Sequence, residues 1–183
     1  MQGGKLGWLP ISPANNQSVP RPYRSLALVL RDSGYAGDLA SEQGFFEGVN
    51  LHTAVANGAR GSVVRHDGRA RNLHTKLDSL FRSEHPPTAL LVANVWPVFA
   101  VMIYLLRRGH RVPETVSLIA GDEDHLFETA APPISHYRFV PNLFIFRFSR
   151  LTMELSREGH LAAEVTMMIP TFSKDFTVKR TGG

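Results

Sequence analysis

Apolar residues recur along the chain in two rhythms. Ser25-Leu-Ala-Leu-Val-Leu30 is a short unbroken apolar run, as a strand covered on both faces requires. Asp32-Ser-Gly34 breaks it. Asp38 to about Asn57 has helical spacing, with Phe45, Val49 and His52 on one face supported by Leu39 and Phe46, and Gly58 suits its stop. Gly61 to Arg65 is a second, weaker strand, turned by Asp67-Gly68. Leu73, Leu77, Leu80 and Phe81 then mark a helix that Pro86-Pro87 closes. Thr88 to Ala93 is a third strand. The helix after Asn94 carries Val98, Val101, Met102, Leu105 and Leu106 and runs to Arg108. Val116 to Ala120 is a fourth strand, followed by the polar loop Gly121 to Asp124. Ile134 to Phe139 is extended. Pro141 opens a helix to about Glu158, because proline suits the first helical position. Val165 to Phe172 and Phe176 to Lys179 read as two last strands.

Strands alternating with helices predict an α/β fold: a parallel sheet with right-handed crossovers and helices on both faces. Ligands of such sheets bind beyond the carboxyl ends of the strands. Four loops therefore matter: Arg31–Asp38, His66–Arg69, Asn94–Val98 and Gly121–His125. One helix does not suit a closed lobe. Leu143, Ile145, Phe146, Phe148, Leu151, Met153 and Leu155 make 141–158 apolar around most of its girth, so it expects cover on more than one side.

Residues 1–24, punctuated by glycine, proline and asparagine, predict an irregular arm or linker in which Trp8 packs as an anchor, and 25–183 a single lobe. The chain has 183 residues, ordinary for one domain, and no cysteine. Disulfide scaffolds, thiol catalysis and cysteine-ligated metals are excluded, and a cytoplasmic setting fits. Asn94 and Pro97 interrupt the longest apolar stretch, Thr88–Leu106, so a membrane span is not expected. Met1–Pro10 lacks the apolar run of a signal peptide, and export is not expected. Net charge is +4. Its one cluster, Arg107, Arg108 and Arg111, sits where cations complement a helix dipole, without the interleaved aromatics of a nucleic-acid surface.

Motifs for nucleotide, protease or esterase chemistry are absent. The dense polar cluster is Asp122-Glu123-Asp124-His125, which follows a buried strand. Its carboxylates have three readings: acceptors for ligand hydroxyls, acid/base or metal-binding groups of an enzyme, or caps for the short helix that follows. Asn94 either caps its helix or holds a polyol through its amide. Trp96 either stacks on a sugar ring or fills core or interface. The eight histidines lack ligand spacing, so no metal site is expected. No cofactor is expected either.

Two segments then become familiar: Pro87-Thr-Ala-Leu-Leu-Val-Ala-Asn94, and Leu106-Arg-Arg-Gly-His-Arg-Val-Pro-Glu-Thr-Val-Ser-Leu-Ile-Ala-Gly-Asp-Glu123. With Pro132-Pro-Ile-Ser they resemble the effector-binding core of LacI/GalR-type transcription regulators, a fold shared with periplasmic sugar-binding proteins. The resemblance covers about residues 24–178 and mainly the second lobe of a two-lobe core. It implies a small polar effector, of sugar or nucleoside class, held between lobes by Asn94 and Asp122; Ser41, Trp96 and Glu123 are the further candidate contacts. It also implies a homodimer, and DNA contact only through a head that is not visible in residues 1–24. Helix 141–158 would then cross to the missing lobe.

The departures are specific. Val95 follows Asn94 where the family often has aspartate, Ser41 replaces an effector-clamping arginine in Ser41-Glu-Gln-Gly-Phe45, and Phe139 stands where a polar residue is common. Without that arginine an acidic effector would be held less well. A solute-binding protein for uptake is the first alternative, and it would require a signal peptide. A carboxylate-dependent enzyme is the second; the resemblance speaks against any enzyme.

Overall fold

The computed structural model describes residues 24–56, 59–138, 141–160 and 170–179. Eleven elements alternate along it: β1 (Ser25–Arg31), α1 (Ala36–Ala56), β2 (Arg60–His66), α2 (Ala70–Phe81), β3 (Ala89–Val92), α3 (Val95–Arg107), β4 (Ser117–Ala120), α4 (His125–Thr129), β5 (His136–Arg138), α5 (Pro141–Glu158) and β6 (Thr171–Ser173). The most continuously apolar strand, β1, lies inside the sheet, whose order is β2-β1-β3-β4-β5-β6. β1 to β5 pair in parallel and β6 returns antiparallel on β5. This is a mostly parallel α/β sheet.

Side chains alternate across a strand, so parity assigns each face. Leu28, Leu30, Gly61 and Arg65 face α1: a Cβ on Gly61 would stand 3.1 Å from the Phe45 ring, and Arg65 pairs with Glu42. Ala27, Val29, Val64, Leu90, Val92, Leu118 and Ala120 face the other way. There they meet Leu73 and Leu77 of α2 and Val98, Val101 and Leu105 of α3 in the main core. Chain order explains the split. β2 lies on one side of β1 and β3 on the other, so right-handed crossovers put α1 on one face and α2 on the opposite one. The strand order reverses between β1 and β3, and ligand crevices open at such switch points.

Polar ties lock α2 to α3. The Tyr104 hydroxyl donates to Asp78 Oδ1 at 2.9 Å and Arg108 Nη2 donates to Asp78 Oδ2 at 2.7 Å. Burial, with the adjacent carboxylate, pushes the Tyr104 phenol up to about 12. The hydrogen bond from Tyr104 holds Asp78 below the usual carboxylate value.

The sequence reading and the structure differ in places. Phe176–Lys179 is a turn and bend, not a strand. Here a side chain replaces the ladder: buried Thr177 donates its hydroxyl to the Leu118 carbonyl at 2.7 Å and accepts from the Ser135 amide at 2.8 Å. β5 is confined to three residues, and Leu39 of α1 is exposed, while Phe46 packs on Phe45 with over a third of its surface free. Gly58, Phe139, residues 165–169 and the arm apart from Arg24, including Trp8, lie outside the described residues.

Candidate functional site at the strand tips

The register fixes what the sheet presents at its carboxyl edge. Val64, Val29, Val92 and Ala120 pair in one row across β2, β1, β3 and β4. Two residues further along the chain stand His66 and Arg31, the last residues of β2 and β1, and Asn94 and Asp122, just past the ends of β3 and β4. Strand spacing of about 4.8 Å separates Asn94 from Asp122 by one step and from His66 by two, roughly 10 Å. Asn94 and Asp122 thus follow neighbouring strands, β3 and β4. The approach is close: the Gly121 amide donates to the Val92 carbonyl at 2.7 Å, and a Cβ on Gly121 would meet the Ala93 backbone at 3.1 Å.

Asn94 takes the N-cap position of α3 in extended conformation, yet its side chain makes no capping hydrogen bond. Its Oδ1 is buried without a donor. The capping alternative therefore fails for Asn94, and a buried amide oxygen without a partner is costly unless something else fills the role. The acidic loop divides its work. Asp124 caps α4, accepting from the Leu126 amide at 2.8 Å, while Asp122 Oδ1 accepts from the Glu123 amide at 2.9 Å. Asp122, Glu123 and Asp124 are all part-buried.

Ser41 does not join this group through its hydroxyl, which donates to the Gly37 carbonyl one turn back in α1 at 2.8 Å. Trp96, in the first turn of α3, is 42% exposed, and its ring meets His66 edge-to-face at 5.2 Å between centroids. His66 is the residue that sequence reasoning passed over. It is fully buried, and its Nδ1 accepts from the Gly68 amide at 3.1 Å, which puts the ring proton on Nε2. That Nε2 is buried without an acceptor. Burial lowers the His66 pKa below the ordinary histidine value, so the ring is neutral at neutral pH. Its place as the last residue of a strand was the available signal.

Beside this row an open groove of about 350 Å³ is lined by Arg31, Asp32, Ser33, Tyr35 and Asp67. Within it Ser33 donates to Asp38. The groove itself sets two carboxylates, Asp32 and Asp67, against one guanidinium. Among the described residues no group of three or more His, Asp or Glu stands together in a way that could hold a metal ion. Among them, too, no helix is long and apolar enough to cross a membrane.

Residues 19–173 match the family profile of the periplasmic binding protein-like domain. The chain belongs to that family. No curated protein matches the sequence. Solved structures with this periplasmic binding protein-like fold include a LacI family transcriptional regulator from Bifidobacterium animalis subsp. lactis, at TM-score 0.73 and 19% identity over 87% of this chain and 57% of that one. A LacI family transcriptional regulator from Arthrobacter sp. FB24, in complex with lactose, superposes at TM-score 0.66 and 15% identity over 86% of this chain and 57% of the other. A dimeric Lac repressor with an 11-residue C-terminal deletion gives TM-score 0.70 and 17% identity over 85% and 56%. The chain thus spans little more than half the length of these relatives in structure. They are transcriptional regulators rather than enzymes.

Proposed function

We propose that residues 25–183 are the effector-sensing lobe of a transcription regulator, with residues 1–24 an arm that precedes it. The lobe takes a small polar molecule, of sugar or nucleoside class, at its strand tips. Asn94 and Asp122 are the direct contacts, Glu123 and Trp96 flank them, and Ser41 contributes once its hydroxyl turns from its own helix. The chain works as a cytoplasmic homodimer and reaches DNA through a head domain outside these residues.

The observation that carries this reading is the buried, unpartnered Asn94 Oδ1 one strand away from Asp122. An ionised carboxylate only accepts hydrogen bonds, and the Asn94 oxygen is an acceptor with no donor. A molecule bearing several hydroxyls supplies donors to both. The family profile and the regulators of the same fold support the assignment. An enzyme built on the acidic loop has less support, because Asp124 is occupied as a helix cap and Asp122 already holds a backbone amide.

Calorimetry of the purified chain against a panel of monosaccharides and nucleosides tests the proposal. Binding of one compound, lost in both Asn94→Ala and Asp122→Ala, is the expected result. Tight binding that survives both substitutions would remove the site from the strand tips.

A further inference from the structure

The tip row holds a second unpartnered group. Asn94 offers an acceptor without a donor. His66, two strands away, offers a donor without an acceptor, because Gly68 occupies its Nδ1 and leaves the hydrogen on Nε2. A hydroxyl answers either group, since it donates and accepts. What stands over the His66 ring is Trp96, packed edge-to-face and itself 42% exposed. A side chain with that much free surface can leave His66 without opening the core.

We propose that His66 is a ligand-reading residue of this site: its Nε2–H donates to a hydroxyl oxygen of an uncharged, hydroxyl-bearing ligand, and Trp96 moves aside to admit it. The proposal rests on the function proposed above and deepens it by naming a residue that the family resemblance does not supply. Roughly 10 Å between the His66 and Asn94 strand positions lets one ring-bearing molecule touch both, with hydroxyls at its two ends. The rim sets the charge. In the groove beside the row Asp32 and Asp67 face the single Arg31, so a neutral polyol meets acceptors there without the repulsion an anion would meet from two carboxylates. Ser41 stands where a clamping arginine would favour an anion.

The test uses the full chain carrying Trp8→Phe, in which Trp96 is the remaining tryptophan of the two. D-ribose, D-galactose and adenosine are titrated to millimolar levels, with D-ribose 5-phosphate as the anionic comparator. Binding is read by calorimetry and by Trp96 emission. The expected result is that at least one neutral compound binds and shifts the emission. His66→Phe, which keeps a ring but no donor, then weakens that compound about tenfold or more, the loss that one hydrogen bond to a buried donor implies. His66→Gln, which restores an N–H, stays within about threefold. Three results overturn the proposal. Binding with no emission shift and no loss in His66→Phe removes His66 from the site while the effector reading stands. Tighter binding of ribose 5-phosphate than of ribose overturns the ligand class. Failure of all three neutral compounds to bind removes both this proposal and the reading beneath it. If His66→Phe does not fold, the emission of the His66 chain still decides: binding that leaves Trp96 unmoved overturns the proposal.

Discussion

Helices α3 and α5 are both rich in large apolar residues, and the structure treats them oppositely. Val98, Val101 and Leu105 of α3 are fully buried against the sheet, between α2 and the end of β4. Ile145, Phe146 and Met153 of α5 are exposed, Phe146 at 68%. The difference is one of supply. The sheet gives α3 a flat apolar partner, whereas Ile145, Phe146 and Met153 keep most of their surface free. Apolar content in a sequence therefore reports the cover a helix needs and says nothing of whether this part of the chain provides it. A chain that spans little more than half of its structural relatives is where such a debt would appear.

The largest test of this contrast is Leu105→Ala. Removing a fully buried leucine side chain from the packed face should cost about 2–5 kcal/mol of unfolding free energy, read from denaturant midpoints. A loss below about 1 kcal/mol would mean that α3 is no better packed than α5. Next is Gly121→Ala, just past the end of β4. The added methyl would press on the Ala93 backbone and should cost about 1–3 kcal/mol, with weakened effector binding because the Asp122 loop shifts. Tyr104→Phe removes one part-buried hydrogen bond between α2 and α3 and should cost about 1 kcal/mol. At the small end, Phe146→Ser should move stability by no more than about 0.5 kcal/mol, yet weaken self-association measured by sedimentation. A large stability loss there would show that α5 is covered within this chain.

A pH experiment sharpens the contrast differently. The folded state lowers the His66 pKa by burial, while the unfolded chain titrates near 6.5. Below 6.5 the unfolded state therefore binds the proton first, and acid favours unfolding through this residue. Stability should fall as pH drops from 6.5 towards the lower folded value, and His66→Gln should flatten that part of the profile. A slope unchanged by the substitution would assign the acid sensitivity elsewhere.

Much of the lobe was legible because period and punctuation agree. The β1 run, the α3 apolar spacing and Pro141 at the start of α5 place elements within a residue or two of those observed. Asn94 and Asp122 were legible as strand-tip residues and as parts of two familiar segments, although the hydrogen bonds that choose between capping and binding were not. His66 was hidden for a topological reason. The residue that covers it, Trp96, lies 30 positions away across an intervening strand, a juxtaposition that only the β2-β1-β3 order creates. Phe176–Lys179 misled because alternation along the chain resembles a strand, while here the Thr177 hydroxyl and carbonyl take up the bonds that a ladder would make.

That threonine also sets how short a working version of the lobe can be. Its hydroxyl satisfies the Leu118 carbonyl and the Ser135 amide together, beneath the acidic loop. With the Leu118 amide, which donates to the Thr177 carbonyl, a chain cut ahead of position 177 would strand three interior backbone groups, at about 1–3 kcal/mol apiece. Protease trimming of the native protein should accordingly halt downstream of this rivet, whatever the last residues contribute.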